Sequence, residues 1–226
     1  MAGELKLGSH LRTQEFLFDP VYRPLNHGSY GAFPKIVRAR QRNIQDQTEA
    51  KSDPFIRFTI PKLLQEARVA VAPLLGASME EVVFLPNATT GVNTVLRNLK
   101  YDDGDFILYL NTAYGACEKT ILHVCETTPA QAVKVDVDFP VEDECLISLV
   151  RDTVTNLASQ HKRVRIAMFD TISTFPGVRL PWEGLTALCK ELGVMSLIDG
   201  AHGIGHINLT KLAEVGADFF SSNCYK

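Results

Sequence analysis

Two residues near the end of the chain carry reactive groups in an informative setting. Asp199 closes the apolar run Val194–Ile198 within Leu197-Ile198-Asp199-Gly200-Ala201-His202. Lys226 follows a second apolar run in Phe220-Ser221-Ser222-Asn223-Cys224-Tyr225-Lys226. A lysine amine condenses with a carbonyl to form a Schiff base. A carboxylate at a strand end keeps a nearby ring nitrogen protonated through charge pairing. The two together suit chemistry in which a bound aromatic ring accepts an electron pair. Taken singly, each has a plainer reading: an Asp there caps helices, and a lone lysine is usually a solvated surface residue.

Upstream, Leu85-Pro86-Asn87-Ala88-Thr89-Thr90-Gly91 joins an apolar run to a helical pattern. Its small residues leave backbone N–H groups at a helix N-terminus, where the dipole favours an anion. Thr89 and Thr90 add hydroxyl donors, and Ser222 offers another near the lysine. An N-cap is the alternative for this turn alone; beside Asp199 and Lys226 a phosphate cup is the better account. Tyr114, after Asn111-Thr112-Ala113, can lie on a flat ring or move a proton. His202-Gly203-Ile204-Gly205-His206 has the spacing of two metal ligands, but its two glycines oppose the helix such a pair needs, so no metal is expected. The same stretch lacks GxGxxG order, which leaves a nucleotide-binding module as a weak third reading. An anion cup, a ring-pairing carboxylate and a Schiff-base lysine define the requirements of pyridoxal 5′-phosphate.

The elements that must position these groups alternate along the chain. Helices are expected from Pro34 to about Ala50, from Pro61 to Gly76, and over Thr90–Leu99, Gly115–Cys125, Glu142–Ser159 and Glu183–Leu192. Strands are expected at Val82–Leu85, Phe106–Leu110, Ala132–Val137, Val164–Phe169, Val194–Ile198 and Phe219–Ser222. Continuous apolar strands separated by helices indicate an α/β fold, a three-layer, doubly wound, mostly parallel sheet. Ligands in such sheets sit beyond the carboxyl ends of the strands. The polar segments Asn87–Thr90, Asn111–Tyr114, Asp170–Thr174 and Asp199–His202 all fall there. Residues 1–60 read as an N-terminal segment and helix, and 61–226 as the cofactor-binding large domain.

The 226 residues are 46% apolar and 22% charged, with net charge −3. No basic field favours nucleic acid, and no apolar run reaches membrane-spanning length. The opening MAGELKLGSHLRTQ lacks the apolar core of a secretory signal. Five cysteines without CxxC spacing read as thiols of a reducing compartment, and a cytoplasmic location is expected.

The chain resembles the class V aminotransferase family of fold-type-I pyridoxal-phosphate enzymes, in its isopenicillin N epimerase-like branch, and within that the fungal hercynylcysteine sulfoxide lyases. The resemblance rests on Leu25-Asn26-His27-Gly28-Ser29-Tyr30-Gly31, Ser52-Asp53-Pro54-Phe55-Ile56-Arg57-Phe58, Asn87–Leu99, Tyr114-Gly115-Ala116-Cys117, Asp199-Gly200-Ala201-His202-Gly203 and Ser222-Asn223-Cys224-Tyr225-Lys226. It implies that Ala88 and Thr89 bind phosphate with Ser222 assisting, and that Tyr114 stacks on the ring. Asp199 then pairs with the ring nitrogen, and His202 lies beside the cofactor. Lys226 carries the Schiff base and moves the α-proton, with Ser173 on a cofactor-side loop and Asn26 and His27 facing the substrate. The implied activity is a C–S lyase acting by β-elimination on a cysteine sulfoxide conjugate in ergothioneine biosynthesis. A class V aminotransferase, a cysteine desulfurase or an amino-acid epimerase needs the same residues. The resemblance also implies an amino-acid substrate and a homodimer at full length. Two departures stand out: Tyr225 replaces the family's usual His before the lysine, and the family continues past the lysine into a smaller C-terminal domain. The chain is therefore expected to be truncated, and an inactive homologue acting as a partner is the reading from a different class.

Overall fold

In the computed structural model, which describes residues 7–226, the chain separates into two units: Met1–Val69 with Cys224–Lys226, and Ala70–Asn223. Part of the N-terminal stretch read above, residues 1–6, lies outside the described residues.

The first unit holds α1 (Ser9–Glu15), α2 (Lys35–Ala50), the single turn α3 (Ser52–Pro54), a π-helical turn at Phe55–Thr59, and the start of α4 (Ile60–Val71). Pro34, which lacks an N–H to donate, stands at the N-cap of α2. Its connecting segments are tied by long cations. The Arg12 guanidinium donates to the carbonyls of Asp19, Pro20 and Tyr22, and Lys35 Nζ donates to Thr13 O at 3.0 Å and Gln14 O at 2.9 Å. These bonds satisfy carbonyls that no helix or sheet ladder covers.

The second unit begins as α4 tightens into a 3₁₀ turn over Ala72–Leu75 and stops at Gly76, whose φ of 58° is the left-handed conformation that ends many helices. There follow α5 (Ala88–Asn98), β1 (Asp105–Leu110), α6 (Gly115–Thr127), β2 (Gln131–Val135), α7 (Asp143–Ser159), β3 (Arg163–Asp170), α8 (Trp182–Leu192), β4 (Met195–Gly200), the short α9 (Leu212–Val215) and β5 (Phe219–Ser222). The five strands are parallel, in the order β2-β1-β3-β4-β5. Alternate residues feed opposite faces. Phe106, Leu108, Leu110, Phe169 and Ile198 pack with α7 and α8, whereas Ile107, Tyr109, Met168 and Leu197 pack with α5 and α6. β1 is buried at every position, as a central parallel strand covered on both faces must be. This is the expected three-layer α/β sheet.

One expected strand is not formed. Val82–Leu85 is extended at Val82 but pairs with no strand among the described residues, and only Val82 is buried. An apolar run makes a strand only where another strand offers ladder partners, and β5, the edge strand at this end, pairs with β4 alone.

Candidate active site

The parallel register sets the site's floor in the second unit. Asp170 on β3 lies opposite Asp199 on β4, and Asp199 lies opposite Ser221 on β5, at the carboxyl ends of all three strands. Asp199 is 4% exposed. Its Oδ1 accepts from the Ala201 N–H at 3.0 Å and its Oδ2 from the Cys117 thiol at 3.4 Å. A carboxylate this buried must be hydrogen-bonded to persist. Asp170, within a segment flagged from the sequence, is a second buried carboxylate beside it.

The Asn87–Thr90 turn opens α5. Asn87 Oδ1 accepts from Thr90 N at 2.8 Å and from Thr90 Oγ1 at 3.1 Å, the ordinary N-cap arrangement. Ala88 N donates to Asn223 Oδ1 at 3.0 Å, and Ser221 Oγ donates to Ala88 O at 3.0 Å. Gly91 allows this closeness: a Cβ there would lie 2.2 Å from Ser221 Oγ. The helix start is thereby fastened to the end of β5. With the Ala88, Thr90 and Gly91 amides engaged, the Thr89 amide of this first turn takes no partner among the described residues. A small built turn with a helix dipole behind it and an open N–H fits a phosphate. The buried carboxylate on the same sheet face fits a protonated ring nitrogen, so the residues present suit pyridoxal phosphate.

Tyr114 precedes α6 and is 42% exposed, with its carbonyl accepting from Cys117 N at 2.8 Å. His202 sits in the turn after β4, where Gly203 N donates to Gly200 O at 2.7 Å. Ser222 Oγ donates to Gly200 O. Ser173 is buried, and its hydroxyl is engaged with both the carbonyl and the N–H of Val178. Sequence reasoning missed two participants, Asn223 and Cys117. Both lie inside the segments that carried the resemblance, three residues from Lys226 and from Tyr114 respectively.

The first unit carries Asn26, His27 and Lys226. Asn26 Oδ1 accepts from Ser29 Oγ at 2.9 Å, which closes the turn. His27 stands edge-on to Phe16 and Phe18, with centroids 6.1 and 6.3 Å away. A Cβ at Gly31 would lie 1.8 Å from Tyr225 O and 2.9 Å from His27 Nε2, so the Asn26–Gly31 loop packs on the backbone that leads into Lys226.

Among the described residues no cluster of His, Cys, Asp and Glu could hold a metal ion, and no helix is long and apolar enough to cross a membrane.

The family model for class V aminotransferases matches residues 51–226. An L-cysteine desulfhydrase-like protein, lolT1, of Epichloe uncinata is 36% identical over 213 residues, covering 94% of this chain and 47% of that protein. The hercynylcysteine sulfoxide lyase of Schizosaccharomyces pombe is 30% identical over 217 residues, covering 96% and 54%. The solved cystine C-S lyase C-DES, in complex with cysteine persulfide, superposes with a TM-score of 0.74 at 18% identity over 89% of this chain and 52% of its own. This chain thus spans about half the length of the curated relatives it matches. The matched residues include the Asn87–Thr90 turn, the buried strand-end carboxylate Asp199 and Lys226, and the chain belongs to the class V aminotransferase family, whose cofactor is pyridoxal 5′-phosphate.

Proposed function

We propose that the protein is a pyridoxal-phosphate C–S lyase acting by β-elimination on cysteine or a cysteine S-conjugate. A cysteine sulfoxide conjugate of ergothioneine biosynthesis is the finer reading, supported by the Schizosaccharomyces pombe relative. The observation that carries the proposal is Asp199, a buried, doubly hydrogen-bonded carboxylate on the sheet face that also bears the open Thr89 amide. The cofactor, when bound, supplies a carbonyl carbon for the amine and a pyridinium ring that accepts the electron pair left at Cα. Thr89 holds the phosphate through its N–H and hydroxyl, with Ala88, Thr90 and Ser222 shaping the cup. Asp199 keeps the proton on the ring nitrogen, Tyr114 covers one ring face, and His202 and Ser173 flank it. Lys226 would hold the carbonyl carbon until the substrate amine displaces it, and its freed Nζ would then take the Cα proton as the Cβ–S bond breaks with its electrons on sulfur. Asn26 and His27 face the substrate. The complete protein is proposed to be a cytoplasmic homodimer, with residues 61–226 as its cofactor-binding large domain.

The test uses full-length protein incubated with L-cysteine and with a cysteine sulfoxide conjugate, assayed for pyruvate. Borohydride reduction of the loaded protein should abolish its visible absorbance and leave the cofactor on Lys226 by peptide mapping. An adduct on another lysine would overturn the site; amino transfer to a keto acid without pyruvate would overturn the lyase in favour of an aminotransferase.

A further inference from the structure

We propose that Cys117 is a positioning residue for the ring-pairing carboxylate, orienting Asp199 and tying it to Tyr114. The proposal rests on the assignment of Asp199 to the cofactor ring. Carboxylate rotation about its terminal torsion is broad and roughly two-fold. Here each oxygen has its own donor: Oδ1 takes the Ala201 N–H at 3.0 Å, and Oδ2 takes the Cys117 thiol at 3.4 Å. The plane of the group is therefore set before any ligand arrives. Cys117 is 1% exposed in the first turn of α6, in a cluster with Val92, Ile121, Met168 and Leu197. A cysteine in such a cluster usually acts as a small hydrophobe; this one aims its polar atom at the one carboxylate assigned to the cofactor. Its own N–H donates to the Tyr114 carbonyl at 2.8 Å. One residue thus links the aromatic assigned to the ring face with the carboxylate assigned to the ring nitrogen.

The experiment titrates pyridoxal phosphate into the apo form of the full-length protein and of three variants, following absorbance. It also records apo melting temperatures. Cys117→Ala and Cys117→Val remove the donor, whereas Cys117→Ser keeps one. A net hydrogen bond of about 1 kcal/mol corresponds to roughly fivefold in affinity. The Ala and Val variants should bind about fivefold more weakly, and Ser should stay within about twofold of the parent. Packing alone gives the reverse order, because valine fills the cluster and serine buries a hydroxyl in it. That reverse order, or equal affinities in all four proteins with changes confined to melting temperature, overturns the proposal alone. A parent that takes up no pyridoxal phosphate overturns the functional reading together with it.

Discussion

At the scale of single residues, the Asn87–Thr90 turn depends on one close approach. Gly91 lets the first turn of α5 sit against β5, and a Cβ there would meet Ser221 Oγ at 2.2 Å and Ser221 Cβ at 3.0 Å, with the next atom, Leu85 Cδ1, at an ordinary 3.6 Å. Gly91→Ala should therefore cost about 1–3 kcal/mol by overpacking, despite alanine's better helix propensity. It should also shift Ala88 relative to Asn223 and weaken cofactor uptake. The double variant Gly91→Ala with Ser221→Gly removes the obstructing side chain and should recover most of the lost melting temperature. If the single variant melts like the parent, the helix start is not held by this contact. Asn223, which fastens the turn, and Cys117, which bonds Asp199, show what a sequence hides. Asn223 and Cys117 act through partners 135 and 82 positions away, and their types suit many bland roles. Asp199 stood out in the sequence because a charged group ending an apolar strand is unusual enough to need a reason, and the structure places it buried at the end of β4.

At the scale of elements, β1 and β3 are joined by charge as well as by their ladder. Arg163 Nε donates to Asp105 Oδ1 at 2.7 Å and a second guanidinium nitrogen donates to Oδ2 at 2.9 Å, while Asp102 N also donates to Oδ2 at 2.9 Å. The Arg163 guanidinium hydrogen-bonded to Asp105 holds its carboxyl below the usual range. A carboxyl with a depressed folded pKa stabilises the fold at pH above the unfolded carboxylate value near 4, and that stabilisation fades as pH falls through the folded value. Asp105→Asn should lower stability by about 1–2 kcal/mol at pH 7, moderated by the solvent exposure of Arg163. The gap from the parent should close below about pH 4 in denaturant titrations; a gap that stays constant with pH would assign the loss to packing. Elements of this kind were legible wherever apolar periodicity was strong: the helices α5 to α8 and all five strands sit within a few residues of their expected bounds. Val82–Leu85 was not, because its composition suits a strand while ladder partners depend on what lies beside it.

At the scale of the whole molecule, the first unit has much apolar surface. Leu17, Val21, Leu25, Tyr30, Ile36 and Val37 are all exposed. Ile36, Val37 and Ile44 line one side of α2 with the stems of Arg40 and Gln41. Contiguous apolar surface of this kind marks interaction sites. The chain as given should associate at micromolar concentration and bind a hydrophobic dye. Ile36→Glu with Val37→Glu should shift its sedimentation toward monomer and dim the dye. A parent that sediments as a monomer at 100 μM, an order-of-magnitude ceiling for weak self-association, would show this face to be unpartnered by its own kind. The placement of Cys224–Lys226 with the chain's opening residues has a further consequence, in time rather than space. Gly31 packs on the Tyr225 carbonyl, yet the ribosome makes all of Ala70–Asn223 between them. At about 5–20 residues per second, the amino-terminal unit waits on the order of ten seconds for its last strand of contacts. Throughout that interval its Asn26–Gly31 loop lacks the Tyr225 carbonyl on which Gly31 packs.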